Sequence, residues 1–126
     1  MTYSASKFVA DLKASVSLEV PRTVQESLSE PVGRRPDPND VVLSEWYNGL
    51  TEYDKKMIGT VVEEATRMTL FSVLTILDGA DVISEELREY DLRLTIKKGD
   101  EEILLSSTEK GASAKELEFL HDLFYD

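Results

Sequence analysis

The chain has one histidine, His121, and it stands beside Asp122; an imidazole next to a carboxylate is the pairing that makes a general base. Its spacing points elsewhere. Leu117, Leu120, His121 and Phe124 fall at i, i+3, i+4 and i+7 of a helix, so His121 shares the apolar stripe while Asp122 lies roughly 100° round the axis. A packed histidine is the expectation. With no second histidine and no cysteine, His121 lacks the companions of a zinc site. Serines and threonines are plentiful, but none sits in a Gly-x-Ser-x-Gly turn, and no glycine-rich loop runs into Lys-Ser or Lys-Thr. The sequence therefore predicts neither an activated nucleophile nor a phosphate cradle, and no cofactor, metal or catalytic residue is expected.

Other groups are suited to recognition. Asp78, Asp81, Glu85, Glu86, Glu89 and Asp91 form an acidic cluster in which Arg88 is the only basic residue. It lacks the alternating oxygen ligands, central glycine and final glutamate of a calcium loop, so it reads as a solvated surface or a dock for a basic protein. Arg34 and Arg35 follow Gly33, where a guanidinium pair could hold a carboxylate or phosphate, but in so acidic a chain they are expected to be solubilising or paired to Asp37 and Asp40. Trp46 and Tyr47 are of the types that anchor interfaces, although Trp46 shares the spacing of Val42 and Leu43 and so is expected in the core. Near the end, Phe119, Leu123, Phe124 and Tyr125 join Leu117 and Leu120, more apolar side chains than one short helix can aim into one core. Part of that surface is expected to meet another subunit.

Charge sets the class of partner. Fourteen basic against 25 acidic residues give −11, with −2 in residues 1–50 and −9 in residues 51–126. Such a field repels nucleic acid and anionic membrane and attracts basic proteins. The absence of cysteine excludes disulfides, iron–sulfur clusters and thiol chemistry, and fits a reducing cytoplasm. No stretch reaches the ~20 apolar residues of a membrane span, and the N-terminus has no signal-peptide pattern. A cytoplasmic protein is expected.

The elements that must position these groups follow from periodicity. Phe8, Val9, Leu12 and Val16 predict an amphipathic helix over about Ser4 to Ser17, and Val24 and Leu28 a shorter one from Pro21 to before Pro31. Three prolines and a glycine then make a surface loop, after which Asp40 is a candidate cap for a helix ending at Gly49. Thr51 caps the longest helix, whose stripe of Met57, Ile58, Val61, Val62, Ala65 and Met68 leads into a segment, Leu70 to Leu77, that is apolar nearly all round. Gly79 closes it. Leu92, Leu94 and Ile96 then alternate with polar residues up to Lys98-Gly99-Asp100, which predicts a β-hairpin. Ser113 and Glu116 form a capping box for a last helix. The expected fold is mainly helical α+β in a single domain, 1–126: four to five helices around one long buried helix, with a hairpin near residues 91–106 and a C-terminal helix.

Together these features predict a non-enzymatic, acidic protein-binding protein with a basic protein partner. Bacterial immunity proteins that inhibit cognate toxins share the profile: small, acidic, poor in cysteine and free of catalytic motifs. The alternatives are an accessory or regulatory subunit of a larger bacterial assembly, with homo-oligomer formation included, and a DNA-mimic inhibitor. Mimicry requires ordered rows of carboxylates, which Lys97, Lys98, Lys110 and Lys115 interrupt.

Overall fold

The computed structural model describes residues 3–80, 84–109 and 119–125. It is a mainly helical α+β fold, with α1 (Ala5–Leu12), α2 (Glu19–Ser29), α3 (Pro38–Asn48), α4 (Glu52–Leu77), β1 (Arg93–Lys98), β2 (Glu101–Ser107) and the short α5 (Leu120–Leu123). The residues divide into two compact units, Met1–Lys13 with Thr69–Asp126, and Ala14–Met68.

Local chemistry sets most boundaries. Ser4 caps α1, its hydroxyl accepting from the Lys7 amide at 3.1 Å. Pro21, expected to separate two helices, instead lies inside α2 with its ring buried. A proline there gives no amide to the carbonyl four residues back and crowds it, and the backbone upstream widens into π geometry over Lys13–Leu18, which accommodates both effects. Helix α3 begins earlier than expected, because Asp37 rather than Asp40 caps it, accepting from the Asn39 amide at 2.8 Å, with Pro38 at the first helical position. Thr51 Oγ1 accepts from the Asp54 amide at 3.1 Å and opens α4. Gly79 closes α4 at φ +73°, a backbone that favours glycine.

In the unit holding both strands, Val9, Leu74, Leu105, Leu120 and Phe124 are fully buried and Leu70 and Leu123 nearly so. The hairpin turns through Gly99 at φ +61° and pairs antiparallel from Lys98↔Glu101 to Arg93↔Ser107. Leu94 faces Ser106 while Thr95 faces Leu104, so Leu105 is an extra residue on β2. That bulge breaks strict alternation and lets the adjacent Leu105 and Ser106 both be buried. Lys13 ties α1's end to the last turn, its Nζ donating to the Phe124 carbonyl at 2.5 Å and lying 5.3 Å from the centre of the Phe124 ring.

The other unit is held differently. Its buried residues are Pro21, Ser44, Tyr47 and Gly59. Ser44 Oγ and Asn48 Nδ2 donate to the Ser29 carbonyl at 3.3 and 3.0 Å, filling an acceptor that the end of α2 leaves open. This polar clasp turns the Ser44 and Tyr47 side of α3 inward. Trp46, expected in the core, is therefore 54% exposed, with Val42 and Leu43 also outside. On α4 the predicted stripe is only partly covered: Met57, Val61, Ala65 and Met68 are exposed, Ile58 and Val62 are half-buried, and full burial of large apolar side chains on this helix is confined to Leu70 and Leu74.

Candidate functional site

The predicted acidic run does not behave as one surface. Asp78 is buried, its side chain 1% exposed, and it anchors a polar hub in the strand-bearing unit. Oδ1 accepts from Ser106 Oγ at 3.1 Å on β2, and Oδ2 accepts from the His121 backbone amide at 2.8 Å. The same oxygen lies 2.7 Å from His121 Nδ1, which places the imidazole proton on Nδ1, the tautomer a carboxylate acceptor requires. Burying a carboxylate is costly unless its lone pairs are filled, and three donors fill them here. The run's other described members, Glu85, Glu86, Glu89 and Asp91, are exposed, and Glu85 lies 3.7 Å from Arg88. Asp81 lies outside the described residues, as does the predicted Ser113–Glu116 capping box.

His121 is 18% exposed, stacked on Phe119 at 5.4 Å and edge-on to Phe71 at 5.8 Å. Its Nε2 lies 3.4 Å from Asp122 Oδ1, closer than the helical wheel implied. The reason is local: Phe119 is extended and α5 is only four residues long, so the ideal periodicity does not run through His121. Asp–His pairing orients a general base in many enzymes. Ser106 bonds the carboxylate rather than the imidazole, and among the described residues no hydroxyl is hydrogen-bonded to His121. Nor does any group of three or more His, Asp or Glu side chains among the described residues gather to hold a metal.

The feature best suited to recognition lies in residues 14–68. A groove of about 280 Å³ between α2 and α3 is floored by Val24, Leu28, Pro31, Val32 and Leu43, with Asp40 the one charged residue lining it. Leu43 on its wall and Trp46 one turn on are both exposed, while Tyr47 is buried and 5.5 Å from Lys55 Nζ. Of the two predicted aromatic anchors, Trp46 alone is thus presented at the surface. Arg34 and Arg35 are exposed in the connecting loop and are not ion-paired to Asp37 or Asp40, so of the two expected roles the solvated one is the arrangement seen.

No family model, curated protein or solved structure matches this chain. Function has to be argued from the surfaces alone.

A larger depression of about 790 Å³ runs between α2 and α4, but five charged residues line it and both of its arginines are already paired. Arg22 pairs with Glu19 and Glu26, and Arg67 with Glu64. The two carboxylates beside Arg22 push its pKa up, the Glu19 hydrogen bond foremost. The apolar groove differs because its floor gains by leaving water, at roughly 25 cal/mol per Å². The groove had no signal in the sequence because it depends on Leu43 facing outward, which the Ser29 clasp decides.

Proposed function

We propose that the protein acts by binding a basic protein and performs no covalent chemistry. The observation that carries this is the open apolar groove between α2 and α3, with Leu43 and Trp46 exposed beside it on a unit that buries few side chains of its own. Residues 14–68 hold six basic and ten acidic side chains, a net −4 within a chain of −11, so long-range attraction favours a cationic partner while the groove supplies short-range burial. An immunity-type inhibitor of a basic toxin or effector is the specific form this takes.

A second reading, an accessory subunit of a larger assembly, draws on Met57, Val61 and Met68, which extend the exposed apolar surface along α4. Salt separates the two, since screening over ~8–10 Å weakens charge-steered encounter and leaves apolar contact nearly unchanged.

Trp46 is the chain's only tryptophan and serves as the reporter. Titrating the full chain with a cationic helical peptide of lysine and leucine is expected to shift Trp46 emission to the blue, with binding weakened at high salt. Leu43→Glu should cut the affinity tenfold or more and leave far-ultraviolet dichroism unchanged. Equal affinity for Leu43→Glu would remove the groove from the account, and salt-resistant self-association in sedimentation would favour the subunit reading.

A further inference from the structure

A further cavity belongs to the strand-bearing unit, and three of its eight lining residues are lysines. It measures about 660 Å³, within the range of small-molecule sites, and lies between the first turn of α1 and the turn end of the hairpin. Ile96 and Ile103 pair across the two strands, are only half buried, and with the Tyr3 ring make an apolar floor. Around that floor stand Lys7, Lys97 and Lys98 against one acid, Glu101. In a chain with nearly twice as many acidic as basic residues, such a concentration of cations is unusual. Glu102 is opposite Lys97 and Glu101 opposite Lys98 in the strand register, yet neither lysine forms an ion pair among the described residues.

One wall is braced. Asp11 accepts from the Tyr3 hydroxyl at 2.5 Å and lies 3.2 Å from Lys7 Nζ, so a single carboxylate holds the aromatic ring and the nearest ammonium in place.

We propose that this cavity binds a small amphipathic carboxylate, its acid group held among Lys7, Lys97 and Lys98 and its hydrocarbon body laid over Ile96, Ile103 and Tyr3. An isolated two-stranded hairpin is marginal in water, and an apolar body covering its half-buried isoleucines stabilises the strands it touches. Binding to the folded state alone also raises the melting temperature by linkage. This site is independent of the α2–α3 groove.

The test uses the full chain and decanoate below its micelle concentration, followed by amide chemical shifts and thermal melting. Saturable shifts confined to Tyr3–Lys7 and Ile96–Ile103, with a rise in melting temperature, are expected. Acetate, which lacks the body, and decanol, which lacks the charge, should each bind at least tenfold more weakly. Lys97→Ala/Lys98→Ala, a pair of exposed positions, should lose tenfold or more in affinity with unchanged dichroism, and Lys98→Glu alone should lose more than Lys98→Ala. Decanoate binding that is unaltered in these variants, is matched by acetate or decanol, or maps to the α2–α3 groove would overturn the proposal, as would no saturable shift at all.

Discussion

Residues 69–126, together with the first thirteen, sequester large apolar side chains from α1, α4, β2 and α5, whereas residues 14–68 leave most of theirs in water. Composition contributes, since the first stretch holds twelve leucines and three valines and the second four leucines and eight valines. The elements are also fastened differently. In the first, apolar burial dominates and one carboxylate satisfies the polar atoms trapped within it. In the second, hydroxyl and amide groups on α3 grip the end of α2, which orients the helix without covering its apolar side. A unit fastened by polar clasps keeps its hydrophobic surface available for other molecules.

The sharpest way to test this contrast is paired truncation. Leu105→Ala or Phe124→Ala should each cost about 3–5 kcal/mol in urea unfolding, because both are fully buried, while Val61→Ala should stay within about 0.5 kcal/mol. Comparable losses at all three positions would mean that Val61 is covered in solution, and a concentration series would then show association.

Removing the buried carboxylate comes next. Asp78→Ala leaves two His121 donors without their acceptor and Ser106 Oγ with only the Leu77 carbonyl at 3.4 Å, and should destabilise by about 3 kcal/mol. Stability equal to wild type would show that the hub contributes nothing net.

Two glycines give a smaller contrast between the same units. Gly79→Ala forces a side chain onto a φ of +73° with a Thr108 methyl 2.8 Å from the new Cβ, and a loss of about 1–2 kcal/mol is expected. Gly59→Ala meets only the Gln25 amide at 2.9 Å, the far end of a flexible side chain, and gains helix propensity of about 1 kcal/mol, so thermal melting should be nearly unchanged.

The smallest effect is a titration. The Tyr3 hydrogen bond, then Lys7, holds the Asp11 carboxyl below the usual carboxylate range, and the same bond raises the Tyr3 phenol above its ordinary value. Asp11's contribution is therefore complete above its unfolded pKa and is lost as pH falls through its folded one; Tyr3's is present below its unfolded pKa and is lost as pH rises through its folded one. In Tyr3→Phe, carboxyl carbon shifts should show Asp11 titrating at higher pH; no change would break the proposed brace.

The fold class was legible because its signals are local: Thr51 before α4, Gly79 after it, and the alternation from Leu92 to Ile96 around Gly99. Side-chain placement was less so. Trp46 shares a helical spacing with Val42 and Leu43, but which face turns inward was decided by Ser44 and Asn48 reaching Ser29, fifteen and nineteen residues away. Pairing between Asp78 and His121 spans 43 residues, and no periodicity encodes it. Asp78 looked like one more surface acid because its five fellow acids mask it. The apolar groove and the lysine-rimmed cavity arise from the placement of separate elements and had no signal of their own.

The bond from Lys13 to the Phe124 carbonyl joins positions 111 residues apart. Its consequence is kinetic. Closing a loop that long demands a large conformational search before any contact rewards it, although the penalty grows only with the logarithm of length. Early pairing of α2 with α3 would shorten the effective loop, so variants that weaken the Ser29 clasp should slow refolding of a core they never touch.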